Sequence, residues 1–235
     1  IDNFSDLLVT MGQSWVPFSR YITNTVVITL VGTLGHLLIA SLAAYVLAKY
    51  DFPLGKQFFA LVVTALMFNG YVTAIPNYLT MTRLNLVDTH WAVILPAFAA
   101  PIGLFLMKQF SEGIPTEMLE AARIDGANRW QTLWRVTIPN VMPSITICMF
   151  LSLTNGFKLF DQNLALTAGR PFQQLGNGET IKTTEMLALN IVNAFGTSGG
   201  GNRGVGQAKA VIFFIVVAAI SIIQLQANRR KEVQQ

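Results

Sequence analysis

The stretch Glu120-Ala121-Ala122-Arg123-Ile124-Asp125-Gly126, followed after nine residues by Val136-Thr137-Ile138-Pro139, decides how this chain is read. It is a polar helix–turn–helix signal between two hydrophobic runs long enough to cross a bilayer. Pro115 suits a first helical position, and Glu117 and Glu120 suit the positive end of a helix dipole. Asp125-Gly126 is a turn signal, because glycine takes the left-handed conformation that ends a helix. Asn128 then caps a second helix, with Gln131 at the capping-box position. Trp130, Leu133 and Trp134 follow at helical spacing as an apolar face. Ala121 and Ala122 are small, so another surface can approach this backbone closely. Pro139 and Pro143 stand near the entrance of the next apolar run, where a helix is commonly bent or restarted. A docking element fits these residues, and so does a connector whose two short helices rest on the spans.

The surroundings set the class. Of 235 residues, 52% are hydrophobic and only 12% charged, where a soluble domain carries about 25% charged residues. Mean hydropathy is +0.49. Five stretches are nearly free of Asp, Glu, Lys and Arg: 22–48, 58–81, 89–107, 136–157 and 210–228. Each reaches or approaches the roughly 20 apolar residues that span a bilayer. The ten-residue alternation of a β-barrel is absent. The expectation is an all-α, polytopic helical membrane protein with five visible spans. The net charge of +4 comes from Lys and Arg flanking the spans, which is a topology signal and not one for nucleic acid. Cys148, the one cysteine, lies inside a hydrophobic run and reads as packing.

Counting basic residues assigns the sides. Arg20 precedes the first span; Lys49 and Lys56 follow it; Arg83 stands alone after the second. The loop 108–135 holds Lys108, Arg123, Arg129 and Arg135, and the tail 229–235 holds Arg229, Arg230 and Lys231. This places the 120–126 loop and the tail in the cytoplasm. Segment 1–21 and the long loop 158–209 fall outside. Five spans with a cytoplasmic C-terminus lead to the expectation of a further N-terminal span preceding Ile1; a five-span protein with a processed N-terminus is the alternative.

The quoted residues carry a resemblance. Glu-Ala-Ala, three residues, Gly, nine residues, then Ile-x-Leu-Pro is the signature of membrane subunits of bacterial ATP-binding-cassette importers, and this chain resembles it with Val136 for Ile and Ile138 for Leu. Asn24-Thr25, Leu84-Asn85-Leu86-Val87-Asp88-Thr89 and Ile114-Pro115 look like the carbohydrate-uptake, maltose-type branch. The middle of the chain is more similar to the smaller maltose-type subunit. The part from Phe157-Lys158-Leu159-Phe160-Asp161 through Leu166-Thr167 is more similar to the larger one. The resemblance implies a cytoplasmic coupling element, with Glu120, Ala121, Ala122, Asp125, Gly126 and Pro139 docking on an ATPase. It also implies a bacterial inner-membrane location and three kinds of partner: a second, similar permease chain, two ATPase subunits and an extracytoplasmic binding protein. ATP and Mg belong to the ATPase subunits, so this chain holds no cofactor and is a transport subunit, not an enzyme. No G-x-x-x-x-G-K-[ST] phosphate loop occurs in the sequence. The glycine-rich stretch 196–206 lacks the Lys-Ser or Lys-Thr that such a loop needs, and reads as a flexible loop.

Two places mix aromatic and amide groups suited to a sugar. One is Asn69, Tyr71, Asn77 and Tyr78 around Pro76; the other is Asn155, Phe157, Phe160, Asp161 and Asn163. Polar groups at membrane depth face a cavity or a partner helix, and the same residues also serve as interhelical glue. Lys158 and Leu159 stand where the larger maltose-type subunit has amides. His36, alone in its span, reads as a packing residue. Residues 184–195 carry apolar side chains at helical spacing, the mark of an interfacial or re-entrant helix. The cargo implied is a carbohydrate, an oligosaccharide first. The alternatives are an amino acid, a peptide or a polyol phosphate, or a stand-alone carrier or channel.

Overall fold

A computed structural model describes residues 18–51, 53–68, 70–174, 180–195 and 203–229. Among the described residues, four helices are long and apolar enough to cross a membrane: Phe18–Lys49, His90–Glu112, Trp130–Phe157 and Arg203–Gln226. The first, α1 (Phe18–Lys49), has 32 residues and runs about 48 Å at 1.5 Å per residue. It contains no proline, and Lys49 in its last turn complements the negative end of its dipole.

The expected span at 58–81 is not one helix. Its residues lie in α2 (Gly55–Ala65) and α3 (Gly70–Arg83), each shorter than the roughly 20 residues a span requires. Residues 66 and 67 turn at the end of α2, and α3 restarts on Gly70, a poor helix former. Inside α3, Pro76 removes a further backbone donor. The run at 89–107 is longer than expected and interrupted: α4 (His90–Phe98) ends before α5 (Pro101–Glu112), with Pro101 at the first position of the restarted helix.

The loop 108–135 and its continuation fold as α6 (Thr116–Ile124), α7 (Arg129–Thr132) and a π-turn over Leu133–Thr137, which leads into α8 (Ile138–Phe157). Beyond it lie α9 (Asp161–Leu166), an antiparallel hairpin of β1 (Phe172–Gln174) and β2 (Thr180–Lys182) with Gln173 opposite Ile181, and α10 (Leu187–Ala194). The helix expected over 184–195 is therefore present as α10. The last helix, α11 (Arg203–Arg229), begins inside the glycine-rich stretch, so Arg203–Gly206 are helical; 196–202 lie outside the described residues.

The chain forms two compact units. One contains the described residues of 33–69, 97–152 and 222–235. Its core joins Leu37, Ala40 and Ala44 of α1 to Met107 of α5 and Cys148 of α8. Cys148 packs there as a buried free thiol. His36, 1% exposed, lies against Gly103, where an added Cβ would overlap its ring. The other unit contains the described residues of 1–32, 70–96 and 153–221. One cluster sets Phe18 of α1 against Leu187 and Ile191 of α10 and Phe213 of α11. A second joins Met81, Ala92 and Leu166.

Leu34, Leu38 and Leu42 lie four residues apart on α1 and remain exposed, as do Phe214 and Ile223 on α11. Contiguous apolar faces of this kind are what hydrocarbon accepts and water does not.

Candidate functional site

The helix–turn–helix element at 116–132 is built by local hydrogen bonds. Glu117 sits in the first turn of α6 and Arg123 in the last, each matched to its end of the dipole. Pro115 is the residue just before the helix and not its first member. The helix ends on Gly126 at φ +79°. Gly126 N–H donates to Arg123 C=O at 3.0 Å and Ala127 N–H to Ala122 C=O at 2.9 Å, the paired bonds of a Schellman termination. Two residues later the capping box closes in both directions. Gln131 N–H donates to Asn128 Oδ1 at 2.8 Å, and Asn128 N–H donates to Gln131 Oε1 at 2.9 Å.

The π-turn has a cause in the sequence. Pro139 offers no N–H, and its ring crowds the carbonyl four residues back. The backbone widens, and Ile138 N–H reaches back to Leu133 C=O. Asn140 then donates from Nδ2 to Val136 C=O at 2.7 Å and meets Met118 Sδ at 3.5 Å, tying α6 to the start of α8. From the other end, Lys49 Nζ donates to Ile114 C=O at 3.1 Å and fixes the entry to α6. Lys108 pairs with Glu112 at 2.7 Å, and its ammonium lies 3.8 Å from the centre of the Phe59 ring, which stacks on Phe105.

The element leaves its outer surface bare. Glu120, Ala121, Asp125 and Gly126 are exposed, Ala122 and Pro139 half-buried. Ile124 is 86% exposed, Trp130 70% and Trp134 63%. An ordered, capped helix pair with uncovered apolar side chains is suited to receive another surface.

The second group of sequence-selected residues divides. Asn77 is half-buried and Tyr78 exposed on α3, which packs against α9, whose first residue is the exposed Asp161. Phe160, half-buried, precedes α9 directly. Asn155 is exposed at the end of α8. Phe157 is 3% exposed, and beside it Gly156 lies so close to α1 that an added Cβ would fall 2.6 Å from Thr29 Cγ2. Packing accounts for both. Tyr71 lies in the first turn of α3, and Asn69 lies outside the described residues.

Asn163 is a structural hub. Fully buried, it donates from Nδ2 to Thr184 C=O and to Thr167 Oγ1, each at 3.0 Å, and accepts from Met186 N–H at 3.0 Å. In the sequence Asn24 and Thr25 stand out only as part of the resemblance to the carbohydrate-uptake branch, at the opening of the first span. In the structure Asn24 Nδ2 donates to the carbonyls of Thr183 and Glu185, and Thr25 Oγ1 accepts from Leu187 N–H, so α1 holds the start of α10. Glu185, 2% exposed, accepts from the amides of Asn190 and Asn193 and lies 3.6 Å from Lys182 Nζ. An acidic residue between two threonines and an apolar helix was the only hint in the sequence. Among the described residues no group of three or more His, Cys, Asp or Glu side chains is placed to hold a metal.

Comparison with known proteins gives concordant results. The family described as "Binding-protein-dependent transport system inner membrane component" matches residues 36–233. The probable starch degradation products transport system permease protein AmyD of Thermoanaerobacterium thermosulfurigenes is 42% identical over 61% of this chain and 46% of its own. The arabinooligosaccharides transport system permease protein AraQ of Halalkalibacterium halodurans is 36% identical over 68% of this chain and 56% of its own. This chain thus spans about half the length of these relatives. The multiple sugar-binding transport system permease protein MsmF of Streptococcus mutans is 32% identical over 99% of this chain and 82% of its own. A bacterial transporter that imports the acidic polysaccharide alginate superposes with a TM-score of 0.77 over 95% of this chain and 78% of its own, at 21% identity, a likeness of fold. The spans, the capped element between them and the family match along most of the sequence agree: this chain belongs to the inner membrane components of binding-protein-dependent transport systems.

Proposed function

We propose that the chain is the transmembrane permease subunit of an ATP-binding-cassette importer, moving a carbohydrate, and an oligosaccharide first, by alternating access. The observation that carries this reading is the capped helix pair at 116–132 with its bare outer face. A rigid, externally accessible element continuous with a span can take up a displacement and pass it on. The chain's own parts suggest how. Glu120, Ala121, Ala122, Asp125 and Gly126 meet an ATPase subunit that holds ATP and magnesium. The Asn140–Val136 and Asn140–Met118 links, with Pro139 and the π-turn, carry its movement into α8. A second, similar permease chain completes the translocation path, and the loop 158–209 faces an extracytoplasmic binding protein.

The names of the relatives support a sugar cargo: starch degradation products, arabinooligosaccharides and multiple sugars. Tyr78, Asn77, Phe160, Asp161 and Asn155 are the residues proposed to meet it, since α3 and α9 lie together and these side chains are not fully buried. A polyol phosphate is the second reading. It is favoured by sn-glycerol-3-phosphate permeases of Yersinia, 29% identical over 67% of this chain.

The test is ATPase stimulation in liposomes holding the assembled complex and its binding protein, with arabino- or malto-oligosaccharide in one arm and glycerol 3-phosphate in the other. Stimulation by an oligosaccharide alone supports the proposal, and stimulation by glycerol 3-phosphate alone replaces it with the second reading. Tyr78→Ala should weaken sugar-dependent uptake; an unchanged rate would return Tyr78 to a packing role.

A further inference from the structure

A groove of about 860 Å³ opens beside α6, lined among others by Phe110, Ile114, Met118, Arg135, Pro139 and Pro143. Most of this lining belongs to the adjoining ends of two candidate spans, His90–Glu112 and Trp130–Phe157, so the groove lies where a bilayer gives way to water. None of residues 120–126 lines it. Its walls are largely apolar, and Arg135 at its edge is exposed. Among the described residues no carboxylate forms an ion pair with Arg135; the ion pairs found are Lys108–Glu112 and Lys182–Glu185. Gln109 adds an amide to the lining, while the Asn140 amide is engaged with Val136 and Met118.

An apolar trough with one uncompensated guanidinium at the membrane boundary matches an amphiphile bearing a single phosphate. Guanidinium binds phosphate in a two-pronged geometry, and a basic pocket between span ends is the arrangement that holds anionic headgroups. A peptide segment of an ATPase would engage 120–126, which lies outside the groove; of the residues the resemblance sets against an ATPase, only Pro139, next to the π-turn, lines it. We propose that this groove binds an anionic phospholipid, its phosphate on Arg135 and an acyl chain against Phe110, Ile114 and Met118. Met118 belongs to α6, so the bound lipid steadies the seat of the coupling element and makes it sensitive to lipid composition. The proposal rests on the placement of the span ends at the membrane boundary and not on the cargo.

The experiment is native mass spectrometry of the full chain in neutral detergent with equimolar phosphatidylglycerol and phosphatidylcholine. The wild type should retain phosphatidylglycerol preferentially. Arg135→Gln should weaken that retention about fivefold, the effect of one basic residue at a membrane surface, while Arg83→Gln should leave it unchanged. Met118→Trp, which fills the groove and keeps the charge, should also lower retention, and it serves if Arg135→Gln fails to fold. Equal retention by wild type and Arg135→Gln would overturn the proposal. So would competition by inorganic phosphate at the concentration of the lipid, which would mark a simple anion site. In the assembled transporter, an Arg135→Gln loss of ATPase activity equal in phosphatidylcholine and phosphatidylglycerol vesicles would place Arg135 against the ATPase and overturn the lipid reading, leaving the function proposed above intact.

Discussion

Replacing Gly126 separates backbone geometry from packing. Its φ is +79°, and a Cβ added there meets nothing within 4 Å. A side chain therefore fits, and the cost is conformational. Alanine in the left-handed region costs about 1–2 kcal/mol. That shifts the balance between the closed and opened turn roughly 5–30-fold. Asparagine enters this region more readily, and a β-branched residue there is a true outlier. The bonds at stake are Gly126 N–H to Arg123 and Ala127 N–H to Ala122, which hold the exit of α6 in line with the Asn128 cap. The expected order of disruption is Gly126→Asn, then Gly126→Ala, then Gly126→Val. Two measurements read it: amide exchange over 116–132, and solute taken up per ATP hydrolysed by the assembled complex in liposomes. Exchange should quicken and uptake per ATP should fall in that order, while membrane insertion stays normal. A valine variant matching glycine in both measurements would refute the reasoning, as would an asparagine variant as impaired as valine.

Three further outcomes are expected. Gly103→Ala drives a Cβ into the His36 ring and should cost about 1–3 kcal/mol; a lowered thermal midpoint checks this, with partial recovery in the Gly103→Ala, His36→Ala double variant. Asn163→Ala leaves Met186 N–H and Thr184 C=O without their buried partner, at about 1–3 kcal/mol for each group; thermal unfolding should show the loss, with Asn163→Asp, which keeps the acceptor for Met186, falling between. Asn140→Ala removes the donor to Val136 and the link to Met118, so amides over 116–124 should exchange faster while those of α10 do not change.

What was legible in the sequence was local. The Schellman end at Gly126 and the capping box at Asn128 and Gln131 join residues at most five apart, so neighbouring residue types specify them. Charge-free runs declare a membrane protein because hydrocarbon rejects charge wherever the helix packs. The 58–81 run reads as one span, because hydropathy averages over the turn at 66–68 and over Gly70 without registering that one helix stops there and another starts.

Tertiary structure decided which side chains face inward. Phe157 and Asn163 looked like candidates for a solute, yet one is buried beside the Gly156–Thr29 approach and the other is fully engaged. Asn24 reaches Thr183 across 159 positions of sequence. No periodicity encodes such a partnership, because it exists only once helices distant in the chain have packed. The sequence by itself determined the class of the molecule and the shape of its capped helix–turn–helix. Packing alone determined which of its polar groups hold the fold together and which remain free to meet something else, because burial is a property of the assembled helices and not of any one segment.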